Sequence, residues 1–248
     1  MNDSPPHVII QKGNSLRESF SLLQHMPGMI VVKDLHSRII VISDYFAYLV
    51  GVNNEEKSDR ITDYDVHCES IKLADMFVQH DQQTIKNKRE VLTLDICKYT
   101  SGWKTLLSSK KPILNNNGEF TGVFAQSINI SNTNMFKSCL SLKAADHLIT
   151  GKEDVQSIYV LNDEHSPLPL TSRQQTCLFL LVRGKSMKEI ASILGISVRT
   201  AEEHITTIRT KLDCNSRSQV IEKAINSGFL NFIPQEILYK RPDKRPAC

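Results

Sequence analysis

Between Leu170 and Gly228, hydroxyl side chains and glycines recur at the spacing that starts and stops short helices, and this punctuation constrains the chain more than any other feature. Thr171 with Gln174, Ser186 with Glu189 and Ser216 with Gln219 each set a hydroxyl three residues before a Glu or Gln. In that pattern the hydroxyl accepts from an amide inside the helix, and the longer side chain returns to the amide of the cap residue. Ser197 can cap a further helix alone. Gly184, Gly195 and Gly228 stand where helices end, because glycine takes the left-handed C-terminal conformation without a Cβ penalty. Four helices are predicted, over 172–183, 187–194, 198–212 and 217–227, the second and third separated only by Gly195, Ile196 and Ser197.

At about 100° per residue, Val198, Ala201, Ile205, Ile208 and Leu212 fall on one side of the third helix. Arg199, Glu203, Thr206, Thr207 and Thr210 fall on the other. Leu178, Leu181 and Val182, with Ile190, Ala191 and Leu194, supply a complementary core, so one side is anchored and the other presented. A short glycine turn between two such helices is the mark of a helix-turn-helix, whose second helix fits the DNA major groove. Charge agrees with this. The net +3 divides into −3 for residues 1–169 and +6 for residues 170–248, and a compact basic segment beside an acidic one suggests a polyanionic partner.

Upstream, 29–33 and 38–42 are rich in Val and Ile and read as a hairpin; 43–87 shifts to helical spacing; 91–99, 103–110 and 122–130 read as three more strands. Asn117-Gly118 between the last two is a strong hairpin signal. Two strands, a helical segment and three strands make an α+β unit, an antiparallel sheet packed on helices. The expected division is 15–131 for this unit, 132–165 for a linker with a partial helix around Phe136 to Lys143, 166–231 for an all-α four-helix domain, and 232–248 for a basic tail.

Several function classes are disfavoured. The longest apolar run, 177–182, is far short of the roughly 20 residues that span a bilayer, and no secretory leader is recognised, so a cytoplasmic protein with no membrane partner is expected. Six cysteines are scattered without a Cys-x-x-Cys pair and read as reduced thiols. Gly184-Lys185-Ser186 imitates the end of a P-loop, but Phe179 stands at the first glycine's place. No hydrolase or metalloprotease motif occurs, so no enzyme activity is expected. Asp63, Asp65, His67 and Cys68 lack a recognised ligand spacing and read as a solvated loop; His80, on the long central helix, reads as structural, not as a haem ligand. No metal and no cofactor are expected.

Two resemblances add to this reading. The order Met26-Pro27-Gly28, Lys33-Asp34, Thr62-Asp63-Tyr64-Asp65, Lys110-Lys111-Pro112-Ile113-Leu114, Asn117-Gly118 and Gly122-Val123-Phe124 resembles a PAS sensor domain over about residues 16–131. It implies a five-stranded sheet cupping a small ligand or a partner helix, and often a dimer. The segment from Leu170-Thr171-x-Arg173 through Gly184-Lys185-Ser186-x-Lys188-Glu189-Ile190-Ala191, Leu194-Gly195-Ile196-Ser197-x-x-Thr200, His204, Ile208, Lys211-Leu212 and Ser216-Arg217 closely resembles the LuxR/FixJ (GerE-type) helix-turn-helix family.

That second resemblance implies a transcription regulator in which Lys188 and Lys211 contact phosphates, Thr200 approaches the DNA backbone, and Glu202, Glu203 and Thr206 face bases. With Ser197, Arg199, Thr207 and Arg209 these are the candidate DNA contacts. Arg209 lies nearer the core edge, where a structural partner is equally expected, and His204 on the helix flank reads as packing. Gln174, Ala201 and Asp213 depart from the family's usual Glu, Val and Gly, and Glu202 from a frequent Lys. Double-stranded DNA, a second copy of the chain and RNA polymerase are the expected partners, with an unidentified small-molecule or protein signal at the first unit. The alternative is an interaction protein that sequesters another regulator without reading DNA, which the adjacent Glu202 and Glu203 permit.

Overall fold

The computed structural model describes residues 8–10, 15–53, 61–131 and 156–238. These form two compact units, the first taking the residues up to Ser131 together with 156–158, the second those from Tyr159 onward.

The first unit is built on strands β1 (Val8–Ile10), β2 (Met29–Asp34), β3 (Ile39–Ile42), β4 (Val91–Tyr99), β5 (Gly102–Asn115) and β6 (Phe120–Asn129). Its main sheet runs β3-β2-β6-β5-β4, with all neighbours antiparallel. This is the PAS-like order in which the first strand of the sheet lies beside the last. Asn115 closes the β5–β6 hairpin: its carbonyl accepts from Gly118 N and its side chain from Asn117 N and Glu119 N, with Gly118 at φ +78°.

β5 outruns its partner β4, which stops opposite Lys110; β1 takes over the exposed edge in parallel from Ile113. Pro112 falls in the gap between the two, where the ladder on that side is already broken, and this lets a proline sit inside a long strand. β1 has no counterpart in the sequence reading. At Gly122 on β6 a Cβ would come to 2.1 Å from the Lys33 carbonyl oxygen, so glycine alone lets β6 pass β2 at this point.

Helices α1 (Leu16–Phe20), α2 (Asp44–Val50) and α3 (Ala74–Asn87) complete the unit. α1 carries a full capping box between Ser15 and Glu18. α2 ends at Gly51, which is left-handed at φ +80°. The core joins Val31, Ile39, Ile42, Leu49, Val50, Cys97 and Leu106, with Phe46 and Phe77 packed against it.

The second unit begins within strand β7 (Ser157–Val160) and holds α4 (Ser172–Val182), α5 (Met187–Leu194), α6 (Val198–Lys211), α7 (Arg217–Asn226) and α8 (Gln235–Leu238). It reaches beyond 166–231 on both sides. Val160 pairs in parallel with Phe232 and accepts from Ile233 N, and Asp163 accepts from Gln235 N. Residues around 232, assigned by sequence to a basic tail, thus include buried Phe232 and Ile233. The partial helix expected over 136–143 and the basic residues beyond 238 lie outside the described residues.

Candidate nucleic-acid interface and sensor cavity

The helix-turn-helix is held by local capping. Thr171 and Ser186 form complete capping boxes with Gln174 and Glu189, and Ser197 accepts from Thr200 N without a box partner. The Ser186 amide and hydroxyl donate to Glu189 and hold its carboxyl down at about 2. Ser216 forms only half of its expected box: it accepts from Gln219 N, but the Gln219 side chain accepts from Asn215 N, one residue earlier. Between α5 and α6, Gly195 is left-handed at φ +64° and its amide returns to Ala191 and Ser192.

Ala201, Ile205 and Ile208 of α6 and Leu212 at its end are buried, as are Leu178 and Leu181 of α4 and Ile190 and Ala191 of α5, the helices that pack against it. Val198, expected on this side, is 38% exposed because it is the first residue of α6 and lies at the rim of the contact. The opposite face presents Arg199, Glu202, Glu203, Thr206 and Thr207 to solvent. Arg199 and Glu203 form an ion pair at 3.1 Å, and the Thr207 hydroxyl donates to the Glu203 carbonyl. Thr200 is half-buried, its hydroxyl 2.9 Å from that of Ser197. Lys188 is exposed on α5.

Arg209 and Lys211 stand apart from that group. Arg209 donates to the Asn215 carbonyl at 2.8 Å, bracing the loop after α6, and Lys211 donates to the Gln174 side chain at 2.9 Å. The same loop contains Asp213 at φ +49°, a conformation costly for a residue with a Cβ. Asp213→Gly is expected to stabilise the second unit by about 0.5–1 kcal/mol, read as a rise in its thermal midpoint.

Arg173 was missed as a structural residue. It lies in the first turn of α4, where a cation opposes the helix dipole, and such a placement is the signal of a tertiary partner. Its guanidinium donates to the Leu194 carbonyl at the end of α5 and pairs with Glu236 of α8.

Residues 168–224 match the family model for bacterial regulatory proteins of the luxR family. The second unit carries a LuxR-family helix-turn-helix domain. The transcriptional activator AhyR of Aeromonas hydrophila is 39% identical over 70 residues, 28% of this chain and 27% of that protein. The transcriptional activator LuxR of Aliivibrio fischeri is 44% identical over 62 residues, 25% of each. The match therefore spans only about a quarter of these LuxR-family relatives. Among solved structures, the VqmA dimer of Vibrio cholerae in the absence of target DNA is 26% identical, with 91% of this chain and 94% of that one covered and a TM-score of 0.45.

The inner face of the PAS-like sheet has its own chemistry. The register puts Met29, Ser127, Ser108 and Thr93 in one row across β2, β6, β5 and β4, and Val31, Ala125, Lys110 and Val91 in the next. Over this face lies a cavity of about 60 Å³, walled mainly by Met29, Val31, Phe46, Val66, Phe77 and Tyr99. Polar groups enter from the sheet and from α3. Lys33 reaches Asp81 at 2.9 Å and pairs with Asp63, while Lys110 pairs with Asp81 and donates to the Phe77 carbonyl at 2.8 Å.

Burial alone would lower the Lys33 ammonium, but Asp63 and Asp81 outweigh it and hold the group well above the usual lysine range. Burial likewise would raise Asp81, and the ammoniums of Lys110 and Lys33 bring it below the usual carboxylate range.

The acidic loop is accounted for by other partners: Asp63 is taken by Lys33, Asp65 accepts from the Thr62 amide and hydroxyl, and Cys68 lies 3.0 Å from the Ser70 hydroxyl. His80 is buried on α3. Among the described residues no three His, Cys, Asp or Glu side chains gather as a metal site would require, and no helix is long and apolar enough to cross a membrane.

Proposed function

We propose that the chain is a sequence-specific DNA-binding transcription regulator whose PAS-like unit senses a small molecule. The single observation that carries this is the exposed face of α6: Arg199, Glu202, Glu203, Thr206 and Thr207 stand together on a helix anchored on its other side by Ala201, Ile205 and Ile208, in a domain of the LuxR family. Side chains on such a face reach base edges in the major groove. Lys188 on α5 approaches a phosphate, and Ser197 and Thr200 at the start of α6 approach the backbone. Lys211 adds a phosphate contact beside Gln174, whereas Arg209 acts through the loop it braces. The protein works in the cytoplasm as a homodimer, in a regulatory and not a catalytic role, and RNA polymerase is the machinery it acts upon.

The test is selection of bound fragments from random DNA with the full-length protein, followed by variants. Thr206→Ala and Glu203→Ala change the preferred sequence, each by about 1–3 kcal/mol of discrimination at one position. Lys188→Ala weakens all sites alike and lowers the salt slope by about 0.9. Uniform loss from all three, with preference unaltered, would contradict the assignment.

A further inference from the structure

The cavity of the first unit contains one acceptor that the protein itself does not satisfy. Asp95 lies on β4 between Thr93 and Cys97, facing the cavity and only 4% exposed. A chain of hydroxyls runs across the sheet: Ser127 and Ser108 are 2.8 Å apart, and Ser108 donates to Asp95 Oδ2 at 2.5 Å. Oδ1 is enclosed and meets no donor among the described residues. A buried acceptor without a donor carries the full cost of its lost hydration. Burial pushes the Asp95 carboxyl up, against the opposing hydrogen bond from Ser108 and the charge of Lys110.

The other charged groups at the cavity are already matched. Lys33 and Lys110 are balanced by Asp63 and Asp81. An anionic occupant would enter this enclosed, mostly apolar space with no counterion left for it, and a cation would give up its whole hydration shell for the single free oxygen of Asp95, which is costly. By the same measure one water needs about 10–15 Å³, so a cavity of about 60 Å³ suits a molecule of only a few heavy atoms.

We propose that the cavity takes a small neutral molecule with an apolar, preferably aromatic body and one N–H donor, and that Asp95 Oδ1 selects for that donor. The inference rests on the reading of the first unit as a small-molecule sensor and names the chemistry of what it senses. Phe46, Phe77 and Tyr99 hold the body of the molecule, while Oδ1 accepts from its N–H. The hydroxyl chain fixes the carboxyl by occupying Oδ2.

Two isomers of equal size serve as probes: 4-methylpyrazole, which has a ring N–H, and 1-methylpyrazole, which has none. Each is titrated into the full-length protein by ligand-observed NMR. The wild type is expected to bind 4-methylpyrazole roughly tenfold or more tightly than its isomer, the effect of one hydrogen bond to a charged group. In Asp95→Asn the amide oxygen takes the Ser108 hydroxyl and the NH2 faces the cavity. The preference then disappears or turns toward 1-methylpyrazole, which offers only acceptors.

Equal binding of the isomers by the wild type, or no measurable binding of either, overturns the proposal. So does a preference that survives unchanged in folded Asp95→Asn. The wild-type comparison decides even where the variant does not fold. A gel shift on the same preparation separates the two levels: isomer discrimination without DNA binding leaves the cavity assignment standing and removes the regulator.

Discussion

Asp81→Ala is expected to destabilise the first unit by about 3–5 kcal/mol, the cost of leaving buried charge without its partner. Asp81 is fully buried and accepts from two lysines, Lys33 of β2 and Lys110 of β5, each at most 5% exposed. Removing the carboxylate leaves both ammoniums under α3, with Asp63 answering one of them and the Phe77 carbonyl the other. The exposed pair Lys72–Glu69 is the control, since a surface ion pair contributes about 0–1 kcal/mol. Denaturant titration followed by circular dichroism checks this: the transition of the first unit moves to lower denaturant in Asp81→Ala and stays in place in Glu69→Ala. An unmoved midpoint in Asp81→Ala would show that the network is not holding α3 to the sheet.

The pH dependence of this network follows from the two shifts. Asp81 is depressed, so its contribution is present above the unfolded carboxylate value of about 3.9 and is lost as pH falls through its folded pKa. Lys33 is raised, so its contribution is present below the unfolded lysine value of about 10.4 and is lost as pH rises through its folded pKa. Between about pH 4 and pH 10 the contributions of Asp81 and Lys33 are both present.

The helix-turn-helix was legible in the sequence because its determinants are local. A hydroxyl and a Glu or Gln three residues apart make a capping box wherever the backbone turns, and Thr171, Ser186 and Ser197 cap as their spacing requires. The strands were legible from equally local signals, the Val and Ile content of 29–33 and 38–42 and the Asn117-Gly118 turn. What was hidden depends on residues far apart in sequence. Lys33, Asp81 and Lys110 come from two strands and a helix, and each alone reads as an ordinary charged residue. Asp95 shares the inward face of β4 with Thr93 and Cys97, but only the cross-strand register reveals what surrounds it. The parallel pairing of β1 with β5 and of Val160 with Phe232 leaves no periodic signature in such short segments.

Full-length protein is expected to bind a two-half-site DNA about 10²–10⁴ times more tightly than a fragment from Gln156 to Cys248, the gain that linkage gives a second binding event. One recognition helix touches only a few base pairs, too few to single out a site among roughly 10⁶ or more genomic competitors. A second helix, docked about 10 bp away or a multiple of this, supplies the missing selectivity if something holds the two copies together. The second unit has little to offer for that: on α7, Val220 and Ala224 are consumed by its own core, and Ile225 is only 37% exposed. The first unit leaves Leu22, Tyr48 and Ile128 between 60% and 82% exposed, so pairing is expected there. Sedimentation of both proteins with and without DNA, beside footprints on a nearly palindromic site, reads the difference directly. A monomeric full-length protein with the fragment's affinity and a footprint over one half-site would remove the dimer, while the capped and anchored α6 would still read its few base pairs alone.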